Sequence, residues 1–148
     1  MHLIANPNDH CICNKLLRGE LSAVETYSQV IEKYAHSPAT EVLRQIRKDH
    51  AYSSNLLSGN VRDMSGDPEK NSGAWGILAT VVQGTANLFG RESAIESLLK
   101  GEEAGRRDYQ KALQDEEVMP ECKKLIQERL LPTALHHVTA LEGLEDAE

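Results

Sequence analysis

The sequence predicts an all-α protein built as a four-helix bundle, and two observations support that fold class. The first is composition: aromatic residues make up only 4% of the chain and there are only five prolines, which favours helices over strands. The second is spacing, because apolar residues recur at alternating steps of three and four, as on one face of a helix. At 148 residues the chain has the usual length of one domain, so we expect a single domain over residues 1–148.

The first helix is expected to begin near Asn8, because the segment before it is rich in Asn, Pro and Asp. It should end near Tyr34. Its inner face is predicted to consist of Leu16, Glu20, Ala23, Tyr27, Val30 and Tyr34. Glu20 therefore lies within an apolar face, where a carboxylate needs a partner.

The second helix is predicted to begin at Ser37-Pro38, an N-cap residue followed by proline at the first helical position. It should fade near residues 58–60. The connection from the first helix is short, so the two helices should be antiparallel neighbours. Its inner face is predicted to consist of Leu43, Ile46, His50 and Leu57.

A long crossover should follow the second helix. Residues 66–73 are rich in turn formers, whereas residues 74–89 are largely apolar at near-helical spacing. We expect a short extra helix there, with Trp75 as its packing anchor. A connection of this length lets the second and third helices run parallel.

The third helix is predicted from about Arg91 to Asp115, and the fourth should start at Met119-Pro120. The third carries an inner face of Ile95, Leu98, Glu102, Gly105, Tyr109 and Ala112. The fourth carries an inner face of Leu130, Ala134, His137, Leu141 and Leu144. Pro132 should kink the fourth helix, because proline removes one backbone hydrogen bond and crowds the preceding turn.

The chain repeats its own pattern. The stretch LLRGE, ending at Glu20, returns as LLKGE, ending at Glu102, and a tyrosine follows each glutamate by seven residues. Leucine also flanks both His50 and His137 at steps of seven. The sequence therefore predicts two copies of a helical hairpin, each contributing one inward Glu and one inward His.

Charge and cysteine content limit the functional classes. The formal net charge is −7 and the basic residues are scattered, which argues against a nucleic-acid partner. No signal peptide or membrane span is evident, so we expect a cytoplasmic protein with no membrane partner. Three cysteines cannot all pair within one chain, which favours reduced thiols. A homodimer is conceivable, although no apolar stripe decides it.

The segments LLRGELSAVETY, IRKDH, GAWG and LPxxLHHVxxL resemble the ferritin-like superfamily of ferritins, rubrerythrins and carboxylate-bridged di-iron proteins. Within it, the chain looks most like a bacterial ferritin-like family of unknown function. The resemblance implies a metal site with single carboxylates from Glu20 and Glu102 and histidines from His50 and His137. Tyr27 and Tyr109 match the tyrosine that often lies two turns after the first-helix Glu in such proteins.

The sequence departs from the superfamily at two ligand positions. The superfamily places a Glu three residues before each histidine, where this chain has Arg47 and Ala134. Asp49 and Glu103 do not replace those ligands cleanly, since each lies about 100° away from the inner face. Two expected carboxylates are therefore missing.

Three states of the core site remain open. It could be a metal-free polar network in which Arg47 donates to Glu20 or Glu102, in which case Arg47→Ala should be destabilising. It could hold one divalent Fe, Mn or Zn ion, or it could retain a dinuclear centre. Tyr27 and Tyr109 are either core residues with bonded hydroxyls or parts of a redox or proton relay.

Two functional hypotheses follow. One is a ferritin-like protein without robust di-iron oxidase activity, for which the resemblance implies a role in stress response or metal handling. The other is an active oxidoreductase or peroxidase-like enzyme of the di-iron carboxylate type.

Overall fold

All elements of the part of the chain that the structure describes are helical. In this computed structural model, residues 7–69 and 90–146 are described, with side chains over residues 12–69 and 93–146. The first three helices are α1 (Pro7–Lys33), α2 (Thr40–Asp63) and α3 (Gly90–Gln114). The fourth helix is a continuous rod of α4 (Pro120–Leu125), a π-helical turn (Ile126–Leu130) and α5 (Leu131–Asp146). The expected extra helix over residues 74–89, with Trp75, lies outside the described residues.

Two core clusters fix the direction of each helix. One cluster joins the start of α1 to the ends of α2 and α3 and to the start of the fourth helix, through Leu17, Leu57, Val61, Tyr109, Ala112 and Cys122. The other joins the end of α1 to the starts of α2 and α3 and to the end of α5, through Val30, Leu43, Ile46, Ile95, Leu98 and Leu141. The parallel arrangement of α2 and α3 is therefore confirmed.

The predicted inner faces are the buried ones. All members are buried except Tyr34, Gly105 and Leu144, which are partly buried. These faces exclude water because helical periodicity places their apolar side chains on one side of each helix. Within the described residues, no helix combines the length and apolarity needed to cross a membrane.

The ends of α2 differ from the prediction. The regular helix begins at Thr40, although the Ser37 Oγ accepts the Ala39 N–H at 3.2 Å as an N-cap side chain would. The helix runs on to Asp63, past the Gly59 at which it was expected to fade. It continues because Leu57, Val61 and Met64 extend its buried face, and that burial outweighs the roughly 1 kcal/mol that a helical glycine costs.

Ser65 closes α2 in a left-handed conformation, with φ of 63°. The Ser65 N–H donates to the Arg62 carbonyl and the Gly66 N–H donates to the Val61 carbonyl, both at 2.9 Å. This pair of bonds is a Schellman motif, which satisfies carbonyls that the helix end would otherwise leave open.

The fourth helix starts as predicted, with Met119 as N-cap and Pro120 at the first position. Its regular hydrogen bonding changes at Ile126–Leu130, two residues before Pro132. A π-helical turn adds one residue to the backbone ring, so the helix is irregular on the N-terminal side of Pro132. The kink expected at Pro132 stays a prediction. Beyond this turn, Leu130, Ala134, His137 and Leu141 share one buried face.

Candidate metal centre

The four residues that the sequence predicted for the site converge from four different helices. Glu20 is on α1, His50 on α2, Glu102 on α3 and His137 on α5, and their exposed fractions are only 8%, 5%, 2% and 1%. Potential ligand atoms of His50, Glu102 and His137 all lie within 4.8 Å of one another. The inward Glu and His of the two repeated hairpins thus form one buried cluster.

His50 bridges the two glutamates. Its Nδ1 lies 2.6 Å from the Glu20 Oε1 and its Nε2 lies 2.6 Å from the Glu102 Oε2. Both contacts are hydrogen bonds only when the ring carries a proton on each nitrogen, because a carboxylate can only accept. In the absence of a metal ion, a protonated His50 is therefore the cation of this cluster.

Each tyrosine of the repeat donates to the glutamate of the other repeat. The Tyr27 hydroxyl donates to the Glu102 Oε2 at 2.6 Å. The Tyr109 hydroxyl donates to the Glu20 Oε2. The two hairpins are thus joined by a reciprocal pair of charge-assisted hydrogen bonds, which are stronger than bonds between neutral groups.

His137 lies between two carboxylates, and one of them corrects the sequence analysis. Its Nδ1 faces the Glu102 Oε1 at 3.2 Å and its Nε2 faces the Asp49 Oδ2 at 3.0 Å. Asp49 was set aside because it lies about 100° from the inner face of α2. That angle turns its carboxylate toward α5, so it contacts the ring nitrogen of His137 that points away from Glu102.

Arg47 does not have the contact that the metal-free alternative gave it. Its Nη1 donates to the Ser28 Oγ of α1 at 3.2 Å. Among the described side chains, the ion pairs of Glu20 and Glu102 are with histidine alone. Ala134, at the other missing ligand position, is buried and carries no polar group.

Burial and the hydrogen-bonded groups shift several pKa values. Burial by itself lowers the pKa of His50, but the charges of Glu102 and Glu20 outweigh it and hold that pKa well above 6.5. Burial alone would raise the pKa of Glu102, yet His50 and His137 hold it well below 4.5. Burial, together with the neighbouring glutamates, raises the pKa values of Tyr27 and Tyr109 well above 10.

The charge balance of the cluster depends on the protonation of its imidazoles. The buried carboxylates are those of Glu20 and Glu102, whereas the Asp49 side chain is 30% exposed. With His50 and His137 both neutral, two negative charges are buried without a cation, which costs several kcal/mol. In that protonation state the donor set is suited to a divalent cation.

A cavity of about 520 Å³ reaches this cluster between α1 and α3. Glu20, His50, Glu102 and His137 all line it, and so do the glycines at positions 19, 101 and 105. A Cβ atom at Gly19 or Gly105 would have no neighbour within 4 Å. Gly19, which precedes the first repeated glutamate, therefore leaves space beside it, a signal that was visible in LLRGE but was not interpreted.

The chain was compared with protein families, curated proteins and solved structures. The family described as a domain of unknown function (DUF2383) matches residues 12–115. No curated protein matches the chain, and no solved structure does either. The matched range holds Glu20, His50 and Glu102, whereas His137 lies beyond it.

Proposed function

We propose that this chain, which belongs to the DUF2383 family of domains of unknown function, is a ferritin-like bundle that binds one divalent Fe, Mn or Zn ion. The proposed ligands are His50, Glu102 and His137, and Glu20 faces the other ring nitrogen of His50 at 2.6 Å. The observation that carries the proposal is the buried convergence of two imidazoles and the Glu102 carboxylate within 4.8 Å. Imidazole and carboxylate are the ligands that these ions share.

The donor set favours one ion over two. A dinuclear centre of the ferritin-like type takes four carboxylates, and two of those positions are Arg47 and Ala134 here. Asp49 does not replace them, because it faces the nitrogen of His137 that is directed away from Glu102. The Nδ1 of His137 is thus the nitrogen available as a ligand, while Asp49 orients the ring through its contact with Nε2.

Metal binding and the metal-free network are alternative states of the same residues. For His50 to ligate, one ring nitrogen must give up its proton and its hydrogen bond to a glutamate. Tyr27 and Tyr109 can keep their hydrogen bonds to Glu102 and Glu20 in both states, and the Glu102 Oε2 that accepts from Tyr27 is also the oxygen that faces His50. A bound ion would supply Lewis acidity and, for Fe or Mn, redox chemistry.

Metal content tests the proposal. Protein reconstituted with Mn²⁺, Zn²⁺ or anaerobic Fe²⁺ and then desalted should retain about one ion per chain by elemental analysis, the occupancy expected of three protein ligands with one open position. His137→Ala should retain less than roughly a tenth of that, because it removes a ligand. The matched control is His136→Ala, which removes the adjacent, exposed imidazole and should bind like wild type. Wild-type protein that retains none of the three metals would refute the proposal.

Asp49→Asn should weaken metal affinity by about 10–100-fold without changing the stoichiometry, the usual effect of losing a carboxylate that orients a ligating histidine. A competition titration against a chromophoric chelator measures this. Asp63→Asn, an exposed position at the end of α2, is the control and should not change the affinity. An unchanged affinity in Asp49→Asn would show that His137 is held without it.

A second candidate function is a metal-dependent oxidoreductase or peroxidase-like enzyme. The cavity favours it, because the space that opens onto Glu20, Glu102 and both histidines is large enough for a small oxidant. Peroxide consumption by Fe- or Mn-loaded protein, absent from His137→Ala, would support this candidate. A role in stress response or metal handling and homodimer formation are part of the proposal and rest on the resemblance to ferritin-like proteins. A cytoplasmic location is also proposed, because three cysteines favour reduced thiols.

A further inference from the structure

Two cysteines that are 109 residues apart in sequence meet in the core. Cys13 of α1 and Cys122 of α4 both have 0% exposure, and their Sγ atoms lie 2.7 Å apart. A disulfide has its sulfurs about 2.05 Å apart. Closing one here therefore requires an approach of less than about 1 Å and no rearrangement of the helices.

The pair is placed where three helices meet. The Cys13 thiol also lies 3.7 Å from the Asn60 Oδ1 of α2, to which it can donate. Both cysteines belong to the core cluster that contains Leu16 and Tyr109. Those two residues, together with Leu130 and Ala134 of the same cluster, also line the cavity that reaches the metal centre.

We propose that Cys13 and Cys122 are a peroxide-oxidisable dithiol, which closes to a disulfide that joins α1 to the fourth helix beside the candidate metal centre. The oxidant is a hydroperoxide, of which hydrogen peroxide is small enough for the cavity. The proposal does not depend on metal binding, because the thiols are not among the proposed ligands.

The chemistry balances in two steps. One sulfur, as thiolate, attacks a peroxide oxygen: an S–O bond forms, the O–O bond breaks, and the departing hydroxide takes up a proton to leave as water. The second sulfur then attacks the sulfenic sulfur, so that the S–S bond forms, the S–O bond breaks and a second water leaves. Two thiols and one hydrogen peroxide give one disulfide and two waters, with two electrons passing from sulfur to oxygen.

The disulfide would link the start of α1 to the start of the fourth helix, across most of the chain. Such a link removes conformational freedom from the unfolded chain, and the effect grows with the length of the closed loop. Oxidised protein should therefore melt higher than reduced protein by roughly 10 °C. A reductant should reverse the difference.

The test uses full-length protein treated with chelator, so that its outcome is separate from that of the metal proposal. After exposure to millimolar hydrogen peroxide for about an hour, a time within the range of disulfide formation, the protein is denatured and alkylated. Mass spectrometry of reduced wild type should show three alkylated cysteines, the total in the chain. Oxidised monomer should show one.

Variants identify the pair, because a tryptic peptide of residues 1–15 would contain both Cys11 and Cys13. Cys11→Ser is the matched control: its oxidised form should show no alkylated cysteine and should yield a peptide of residues 1–15 linked to one containing Cys122. Cys13→Ser and Cys122→Ser should keep both remaining thiols alkylatable. Circular dichroism checks that Cys13→Ser and Cys122→Ser fold. If they do not fold, the linked peptides of Cys11→Ser identify the disulfide.

Three results would overturn the proposal. The first is oxidised wild type that keeps three alkylatable thiols. The second is a linkage that disappears in Cys11→Ser. The third is a disulfide found only between chains.

Discussion

Replacing Glu102 with alanine in the metal-free protein should lower the free energy of unfolding by about 3–5 kcal/mol, the usual cost of removing one partner from a buried ion pair. Glu102 accepts the Tyr27 hydroxyl and one nitrogen of His50, and it faces one nitrogen of His137. Its loss leaves all three buried groups without that acceptor. Urea unfolding with chelator present at pH 7 measures the change as a shift in midpoint at constant slope.

Arg47→Ala is the matched control for Glu102→Ala. Arg47 is partly exposed and its hydrogen bond is to the Ser28 hydroxyl, so its removal should cost less than about 1 kcal/mol. If Arg47→Ala is as damaging as Glu102→Ala, the arginine and not His50 is the cation that balances the glutamates.

The pH dependence of the Glu102 effect follows from the direction of its pKa shift. Because the folded pKa of Glu102 lies below its unfolded value near 4.5, its contribution is complete above that value and fades as pH falls through the folded pKa. The folded pKa of His50 is raised above 6.5, so its contribution is complete below that value and is lost as pH rises through the raised pKa. Metal-free wild type should thus be most stable between these limits. Glu102→Ala should show a weaker maximum, because of the two glutamates that raise the pKa of His50 only Glu20 remains.

The double variant Tyr27→Phe, Tyr109→Phe should lose about 3–6 kcal/mol of stability, since each hydroxyl donates to a buried carboxylate and such bonds contribute about 1.5–3 kcal/mol. Both rings are buried, with 0% and 3% exposure, and phenylalanine preserves their packing. The two single variants should have similar effects, because the two contacts are related by the repeat. Thermal or urea unfolding of the metal-free protein measures all three.

Tyr52→Phe is the control for the tyrosine variants. Tyr52 is 52% exposed and its hydroxyl accepts a bond from Arg129 at the surface, so the change should be close to neutral. Stability unchanged in the double variant would mean that water or another donor replaces both hydroxyls, and the reciprocal bonds would then not hold the hairpins together.

The inner faces of the helices were predictable because periodicity is a local property. The sequence placed Leu43, His50 and Leu57 on one face, and the structure buries all three. The sequence also predicted that Glu20, His50, Glu102 and His137 lie close together. One inward polar residue on each of four helices, at matching depths, leaves few other arrangements of these side chains. The direction of α3 followed from the length of the crossover.

Asp49 and Arg47 differ from the sequence analysis in opposite ways. Asp49, about 100° from the inner face of α2, was treated as outside the site, whereas Arg47, one turn before His50, was given a contact with Glu20 or Glu102. Each helix of a bundle has two neighbours, so either side chain can turn to a different one. Asp49 therefore reaches His137 on α5, whereas the long side chain of Arg47 reaches Ser28 on α1. Which neighbour a side chain contacts depends on helix rotation and axial shift, and neither is encoded in the periodicity.

The thiol pair and the cavity depend on tertiary geometry in the same way. Cys13 and Cys122 meet because the first and fourth helices start at the same end of the bundle, and their separation of 2.7 Å follows from the axial shift between those helices. The cavity depends on how far α1 and α3 stand apart beside the candidate metal centre.

Anomalous diffraction from crystals of metal-loaded protein tests the central claim most directly. We predict one anomalous peak per chain, with His50, Glu102 and His137 at about 2.0–2.2 Å from it and Asp49 against the far nitrogen of His137. If no peak is found at this cluster, the site is the metal-free network in which a protonated His50 bridges Glu20 and Glu102. Two peaks about 3.5–4 Å apart would contradict the single-ion account and restore a dinuclear centre.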